Sequence, residues 1–187
     1  MNAFDYLSVL ISIVLGLGIT QLLTGFAGLV RARKRIRMYW PVPVQIAVVF
    51  LIAVVVWWSM FGLREVRVWT FGLFLVVLGQ AVAAYLMAAF ITPDAAGTEH
   101  LILRELYFRE ARWFFSSSLA LLAFSVAKNL MLSGSMQSGD LVGHVAFAAV
   151  SLAGLIGSGD RVHKIIAPLT FVFLAVYIGA LFVQLPH

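Results

Sequence analysis

The chain contains no cysteine and few charged residues, and both shortages limit what it can be. Without cysteine it cannot form disulfide bonds, thiolate metal sites, palmitoyl anchors or prenyl anchors. Charged residues make up 11% of the 187 residues, whereas hydrophobic residues make up 63% and the mean hydropathy is +1.02. A water-soluble domain of this size would need a largely apolar surface to hold so many apolar side chains. The composition therefore predicts an integral membrane protein.

Motifs for catalysis are also missing. No HExxH-type zinc motif and no glycine-rich phosphate loop occurs, and no pair of carboxylates lies within an apolar segment. The four histidines are scattered, and His100 with His163 is the one pair that two helices could offer to a haem. We therefore predict no enzymatic activity, no metal and no cofactor. A haem protein is the alternative, which an absorption spectrum would test.

Six apolar segments are each long enough to cross a bilayer as a helix, which takes about 20 residues. Continuous apolar runs favour helices over the alternating strands of a membrane barrel, and a helix satisfies its own backbone hydrogen bonds in lipid. The sequence predicts an all-α, polytopic helical bundle that forms a single integral membrane domain over residues 1–187. The six predicted spans are residues 4–30, 41–63, 69–92, 113–132, 141–158 and 165–185.

The longest connection between spans lies between the third and the fourth. Pro93 and Gly97 end the third helix, and residues 99–112 then alternate apolar and charged side chains in an amphipathic pattern. No helix-breaking residue separates this stretch from the fourth span. We therefore predict an amphipathic helix over 99–112, either interfacial or a cytoplasmic extension of the fourth span. It would set the depth of that span or dock a protein partner.

A dense basic run follows the first span and consists of Arg31, Arg33, Lys34, Arg35 and Arg37. By the positive-inside rule this run is cytoplasmic, so both termini lie outside a membrane that we take to be a bacterial inner membrane. Ten basic residues then fall on the cytoplasmic side and three on or near the outer side. The excess predicts contact with anionic lipid and not with nucleic acid, because membrane topology already accounts for the charge.

Small residues recur every four positions along the first span, and the fifth span is also rich in them. Such a pattern lets another helix backbone approach closely, within one chain or between chains. We predict tight helix contacts at these positions and a homo-oligomer. The members of the pattern are Ser8, Ser12, Gly16, Thr20, Thr24 and Gly28.

Polar side chains within spans are costly in lipid and mark candidate sites. In the outer half, Lys128, Asn129 and His144 lie at similar heights. Lys128 either extends its amine to the headgroups or is buried, paired with a carboxylate or exposed to a water-filled cavity. Deeper in the membrane are three glutamines, which either hold helices together or line a hydrophilic passage. They are Gln21, Gln45 and Gln80.

The polar layers and the small-residue pattern together predict a small channel or transporter for an ion or small solute. Lys128 would be its charge-selective group, and the glutamines would lie along the path. The alternative is a non-catalytic membrane subunit or scaffold. In that case the basic cytoplasmic face and the 99–112 helix would dock a partner protein.

Overall fold

The structure is a computed structural model that describes residues 3–92 and 101–181. It contains six helices that are long and apolar enough to cross a membrane. The predicted all-α bundle with six spans is therefore confirmed. The helices are α1 (Ala3–Ala32), α2 (Pro41–Ser59), α3 (Phe71–Ile91), α4 (Leu103–Ser133), α5 (Ser138–Ile156) and α6 (Asp160–Leu181), and a 3-10 turn over Met60–Glu65 follows α2.

The helix ends follow from the local sequence. Pro41 occupies the first turn of α2, where its missing N–H leaves no hydrogen bond unmade. The Thr70 hydroxyl caps α3 by accepting a hydrogen bond from the Leu73 backbone N–H at 3.2 Å. Gly134 ends α4 in a left-handed conformation with a φ of 69°, which glycine adopts without steric cost.

The amphipathic stretch forms the beginning of α4. This helix starts at Leu103 and continues without interruption into the fourth span. The amphipathic stretch is therefore an extension of that span and not a separate interfacial helix. The two residues before it, Leu101–Ile102, form strand β2, which pairs in parallel with strand β1, Ile36–Arg37. The predicted helix start at residues 99 and 100 lies outside the described residues, as does the end of the sixth span beyond residue 181.

Five of the helices form a ring, and α1 packs on its outside. Around the ring, α2 contacts α3, α3 contacts α4, α4 contacts α5, α5 contacts α6, and α6 returns to α2. The α1 helix lies against α2 and α3. Side chains from five separate stretches of sequence therefore meet at the centre of the ring.

Glycines let neighbouring ring helices approach each other at aromatic side chains. A Cβ atom at Gly79 of α3 would lie 2.7 Å from the Phe124 ring of α4, so only glycine fits there without displacing the ring. The same arrangement occurs at two more contacts, Gly154 with Phe115 between α5 and α4, and Gly143 with Tyr177 between α5 and α6.

The α1 helix packs through glycines outside the predicted four-residue pattern. A Cβ atom at Gly18 would lie 3.4 Å from Cα of Tyr85 on α3, and one at Gly25 would lie 2.6 Å from Cβ of Thr92, the residue that follows α3. The predicted pattern lies on a different face. Its members Gly16, Thr20 and Thr24 are exposed, whereas Ser8, Ser12 and Gly28 are half-buried.

Candidate functional site

A cavity of about 410 Å³ lies within the ring, towards the end where the α2–α3 and α4–α5 connections are. Its lining comes from all five ring helices and, among the residues that the structure describes, none of it comes from α1. Most of the lining side chains are apolar, including Val56, Leu121 and Phe147. The polar ones are Ser59, Gln80, Ser125, Lys128, Asn129, Asp140, His144 and Tyr177.

Lys128 of α4 is the buried cation of this cavity, with 7% of its surface exposed. Its Nζ atom donates a long hydrogen bond of 3.5 Å to Ser59 Oγ. Ser59 donates its own proton to the Val56 carbonyl oxygen at 2.8 Å. Within the described part of the chain Lys128 makes no ion pair, although an ammonium carries three N–H donors. The cavity is therefore lined by a cation with unused donors, which is costly unless a ligand or water supplies acceptors.

A chain of hydrogen bonds crosses α4, α5 and α6 along one wall of the cavity. His144 Nδ1 is 2.7 Å from the Asp140 carbonyl oxygen, which can only accept, so Nδ1 carries a proton. In the neutral imidazole, Nε2 then accepts the Ser125 hydroxyl proton at 2.8 Å. Tyr177 donates to Asp140 Oδ1 at 2.8 Å. These bonds orient His144 and hold the Asp140 carboxylate at the start of α5.

The three predicted glutamines have separate surroundings. Gln80 is buried and lines the cavity beside Lys128 and Asn129. Gln45 is buried outside the cavity lining, and its Nε2 atom has no hydrogen-bond partner among the described residues. Gln21 is exposed on α1 and donates to Thr92 Oγ1 at 3.0 Å, which joins α1 to the residue that ends α3. The three glutamines are predicted at similar depth in the membrane, but only Gln80 lines the cavity.

The opposite end of the ring is filled by an aromatic cluster that consists of Tyr107, Phe108, Phe115 and His163. His163 is 1% exposed, and its ring centroid lies 4.9 Å from that of Phe108. His163 Nε2 donates to the Gly157 carbonyl oxygen at 2.7 Å, and Nδ1 accepts the Tyr107 hydroxyl proton at 2.9 Å. Both ring nitrogens are thus engaged within the protein. His100, the other residue of the haem alternative, lies outside the described residues.

Sequence reasoning missed Ser59 and Tyr177, which complete the polar side of the cavity. Ser59 is the last residue of α2, and Tyr177 lies in the second half of α6. Their depth in the membrane could have indicated them, because both residues lie in the same half of their spans as Lys128. A tyrosine at that depth is equally typical of an interfacial anchor, which is the ordinary role of tyrosine in membrane helices.

The basic run lies at the same end as the aromatic cluster, and all five of its members are exposed. Arg31 Nε donates to the Ala27 carbonyl oxygen at 3.2 Å, and Arg33 donates to the Val30 carbonyl oxygen at 2.9 Å. The second bond satisfies a carbonyl group that the last turn of α1 leaves free, whereas the Ala27 carbonyl also accepts within the helix. The run therefore ends a helix and also presents an exposed positive surface.

An ion-pair group lies beside this run at the start of α6. Asp160 accepts from Arg104 at 3.1 Å and from Lys164 at 2.6 Å, which ties α4 to α6. The nearby Tyr39 is 5% exposed. Burial, and then the Asp160 carboxylate, raise the pKa of the Tyr39 hydroxyl above its usual value, so this phenol is neutral near pH 7.

No protein-family model matches this chain, and comparisons with curated proteins and with solved structures also find no match.

Proposed function

We propose that this integral membrane protein is a transporter that carries a small solute through the centre of the five-helix ring. The observation that supports this best is the cavity, because every ring helix lines it and it holds a buried ammonium with unused donors. Ligand sites of membrane transporters are commonly formed where several helices meet within the bilayer. Intramembrane charged residues that face a cavity are typical of such sites.

A carrier fits the packing better than an open channel. The aromatic cluster closes the ring at the end opposite the cavity, so passage requires a change of packing there. The Tyr107–His163 hydrogen bond would have to break in that change. Ser118 and Ser151, which are hydrogen-bonded at 2.8 Å between α4 and α5, lie in the same half of the ring and would separate with it. This is the alternating-access behaviour of carriers.

We further propose the orientation in which the basic run is cytoplasmic and the cavity opens towards the outside of a bacterial inner membrane, with both termini outside. Exposure of all five basic side chains at one end of the bundle supports this. Anionic lipid on the cytoplasmic side is the partner that this surface suits, at about 1 kcal/mol per basic residue near the membrane.

We also propose that the protein assembles as a homo-oligomer through the outer face of α1. A Cβ atom at Gly16 would meet nothing within 4 Å, and Thr20 and Thr24 on the same face are exposed. Small residues on a lipid-facing surface allow a second helix to approach closely. Since the cavity lies inside the ring, each subunit would hold its own path. The mass of the assembly in a mild detergent tests this proposal.

The transport proposal is tested by solute flux into liposomes that contain the purified protein. Lys128→Met should lower the flux at least 10-fold, because it removes the buried charge of the cavity. The matched control is Arg64→Met, which removes an exposed positive charge near the same end and outside the cavity lining. This control should transport normally. Absence of flux across a broad panel of ions and small solutes, or normal flux in Lys128→Met, would contradict the proposal.

A scaffold is the second candidate, supported by the exposed basic side chains on the extension of α4. Arg109 and Arg112 are exposed, and Arg104 is half-exposed beside Asp160. A protein with this role would be recovered from native membranes with a stoichiometric partner. Changing Arg104, Arg109 and Arg112 together to alanine should then release that partner while Lys128→Met should retain it.

A further inference from the structure

The polar groups of the cavity differ in how well they are satisfied, and this difference indicates the charge of a ligand. Lys128 has one hydrogen bond, to Ser59 at 3.5 Å. Asp140 accepts from Tyr177 at 2.8 Å and lies in the first turn of α5, where the helix dipole favours a carboxylate. Lys128 is 7% exposed and has one acceptor for its three N–H donors, whereas Asp140 is half-buried and already accepts from Tyr177, so the cation is the less satisfied of the two groups.

We propose that the ligand of this cavity is a small organic monoanion, a carboxylate with a short apolar tail, whose head binds Lys128. The inference rests on the proposed function, in that it takes the cavity as the site where the transported solute binds. A carboxylate oxygen within hydrogen-bonding distance of Nζ would supply the missing acceptor and neutralise a charge held away from water. A cation would instead be repelled by the buried Lys128 ammonium, and Asp140, the carboxylate of the cavity, already accepts from Tyr177.

Asp140 limits how much negative charge the ligand can carry. Its carboxylate lines the same cavity, so a divalent anion would add a second negative charge that Lys128 cannot balance. Its position on α5 also sets the orientation of the ligand. The head group lies towards α4 and α2, where Lys128 and Ser59 are, and away from Asp140.

The apolar lining accounts for the tail. Val56 of α2, Leu121 of α4, Phe147 of α5 and Leu174 of α6 all line the cavity and are buried. A volume of about 410 Å³ lies in the range of small-molecule sites and exceeds what a bare carboxylate fills. Burying a methylene group contributes about 0.8 kcal/mol, so each carbon of the tail should strengthen binding until the cavity is full.

The experiment is calorimetric titration of the purified protein in detergent with sodium hexanoate, with empty micelles as the blank. Three further probes vary one property each: hexanamide removes the charge, acetate removes the tail, and hexylammonium reverses the charge. We expect hexanoate to bind at least 10-fold more tightly than any of these. Equal affinity for hexanoate and hexanamide would overturn the proposal, and this comparison needs only the unmodified protein.

Variants locate the binding site. Lys128→Met should remove the preference for hexanoate over hexanamide, and Arg64→Met should keep it. An undiminished preference in a folded Lys128→Met protein would overturn the assignment to this cavity. The ligand proposal and the transport proposal can be contradicted independently. Hexanoate binding without any flux in liposomes would contradict the transporter and support the ligand class. Flux of another solute without hexanoate binding would support the transporter and contradict the ligand class.

Discussion

At the scale of single residues, Lys128 shows a conflict between stability and function. A methionine of similar length would fill the same space without an ammonium that has to be removed from water. Keeping the lysine is favourable only when something in the cavity binds it. Sites of this kind lower the stability of the empty protein and raise it again when the ligand is bound.

We therefore predict that Lys128→Met stabilises the empty protein by about 1–3 kcal/mol, because the buried charge and its unused donors are lost. Arg64→Met is the control and should change stability little, since Arg64 is exposed. Denaturation in mixed detergent micelles measures both variants. A Lys128→Met protein that is less stable than the original would mean that the ammonium is already satisfied, and the cavity would lose its reason to bind an anion.

The residue scale also separates what the sequence could predict from what it could not. Depth along a helix follows from counting residues, which is why Lys128, Asn129 and His144 are predicted at similar heights. In the structure all three line the cavity. The direction in which a side chain points depends on how its helix is rotated in the bundle, and neighbouring helices set that rotation. For this reason Gln80 faces the cavity, whereas Gln21 binds Thr92 on the outer side of the bundle.

At the scale of elements, the six helices were predictable because length and apolarity decide them in lipid. Their order in the ring was not predictable. Close contacts depend on which glycine opposes which large side chain, and a repeat within one helix does not identify its partner. The four-residue pattern of α1 stays a prediction of a close helix contact, while the contact with α3 is made through Gly18 and Gly25 on another face.

At the scale of elements, we predict how substitution of a glycine at a helix contact changes the stability of the protein. Gly154→Ala should destabilise the protein by about 1–3 kcal/mol, because the new methyl group would overlap the Phe115 ring, which is 3% exposed and packed in the hydrophobic core. Gly179→Ala is the matched control on α6, since a Cβ atom there meets nothing within 4 Å. It should be neutral or slightly stabilising through its helix propensity. The same denaturation measurement checks both, and equal effects of the two substitutions would contradict the packing described for α4 and α5.

At the scale of the whole molecule, the two ends of the ring differ, as expected for a protein whose ends face opposite sides of a membrane. One end has the cavity and the other has the aromatic cluster with the basic run beside it. The proposed direction of transport depends on which end faces the cytoplasm. The absence of native cysteine makes this testable, because any single introduced cysteine is the only thiol in the protein.

Three positions report on the three regions: Arg33→Cys on the basic run, Arg67→Cys on the α2–α3 connection and Asn129→Cys in the cavity. With a membrane-impermeant thiol reagent on intact cells, Arg67→Cys should be labelled fully and Arg33→Cys only after the cells are opened. Asn129→Cys should react from outside more slowly than Arg67→Cys, because the reagent has to enter the ring.

Hexanoate should slow the labelling of Asn129→Cys and leave Arg67→Cys unchanged, because only the first thiol shares the cavity with Lys128. Labelling of Arg33→Cys on intact cells would reverse the orientation and put the cavity on the cytoplasmic side. The ring and its site would then remain as described, but the solute would enter from the cell interior, and anionic lipid would no longer be the natural partner of the basic run.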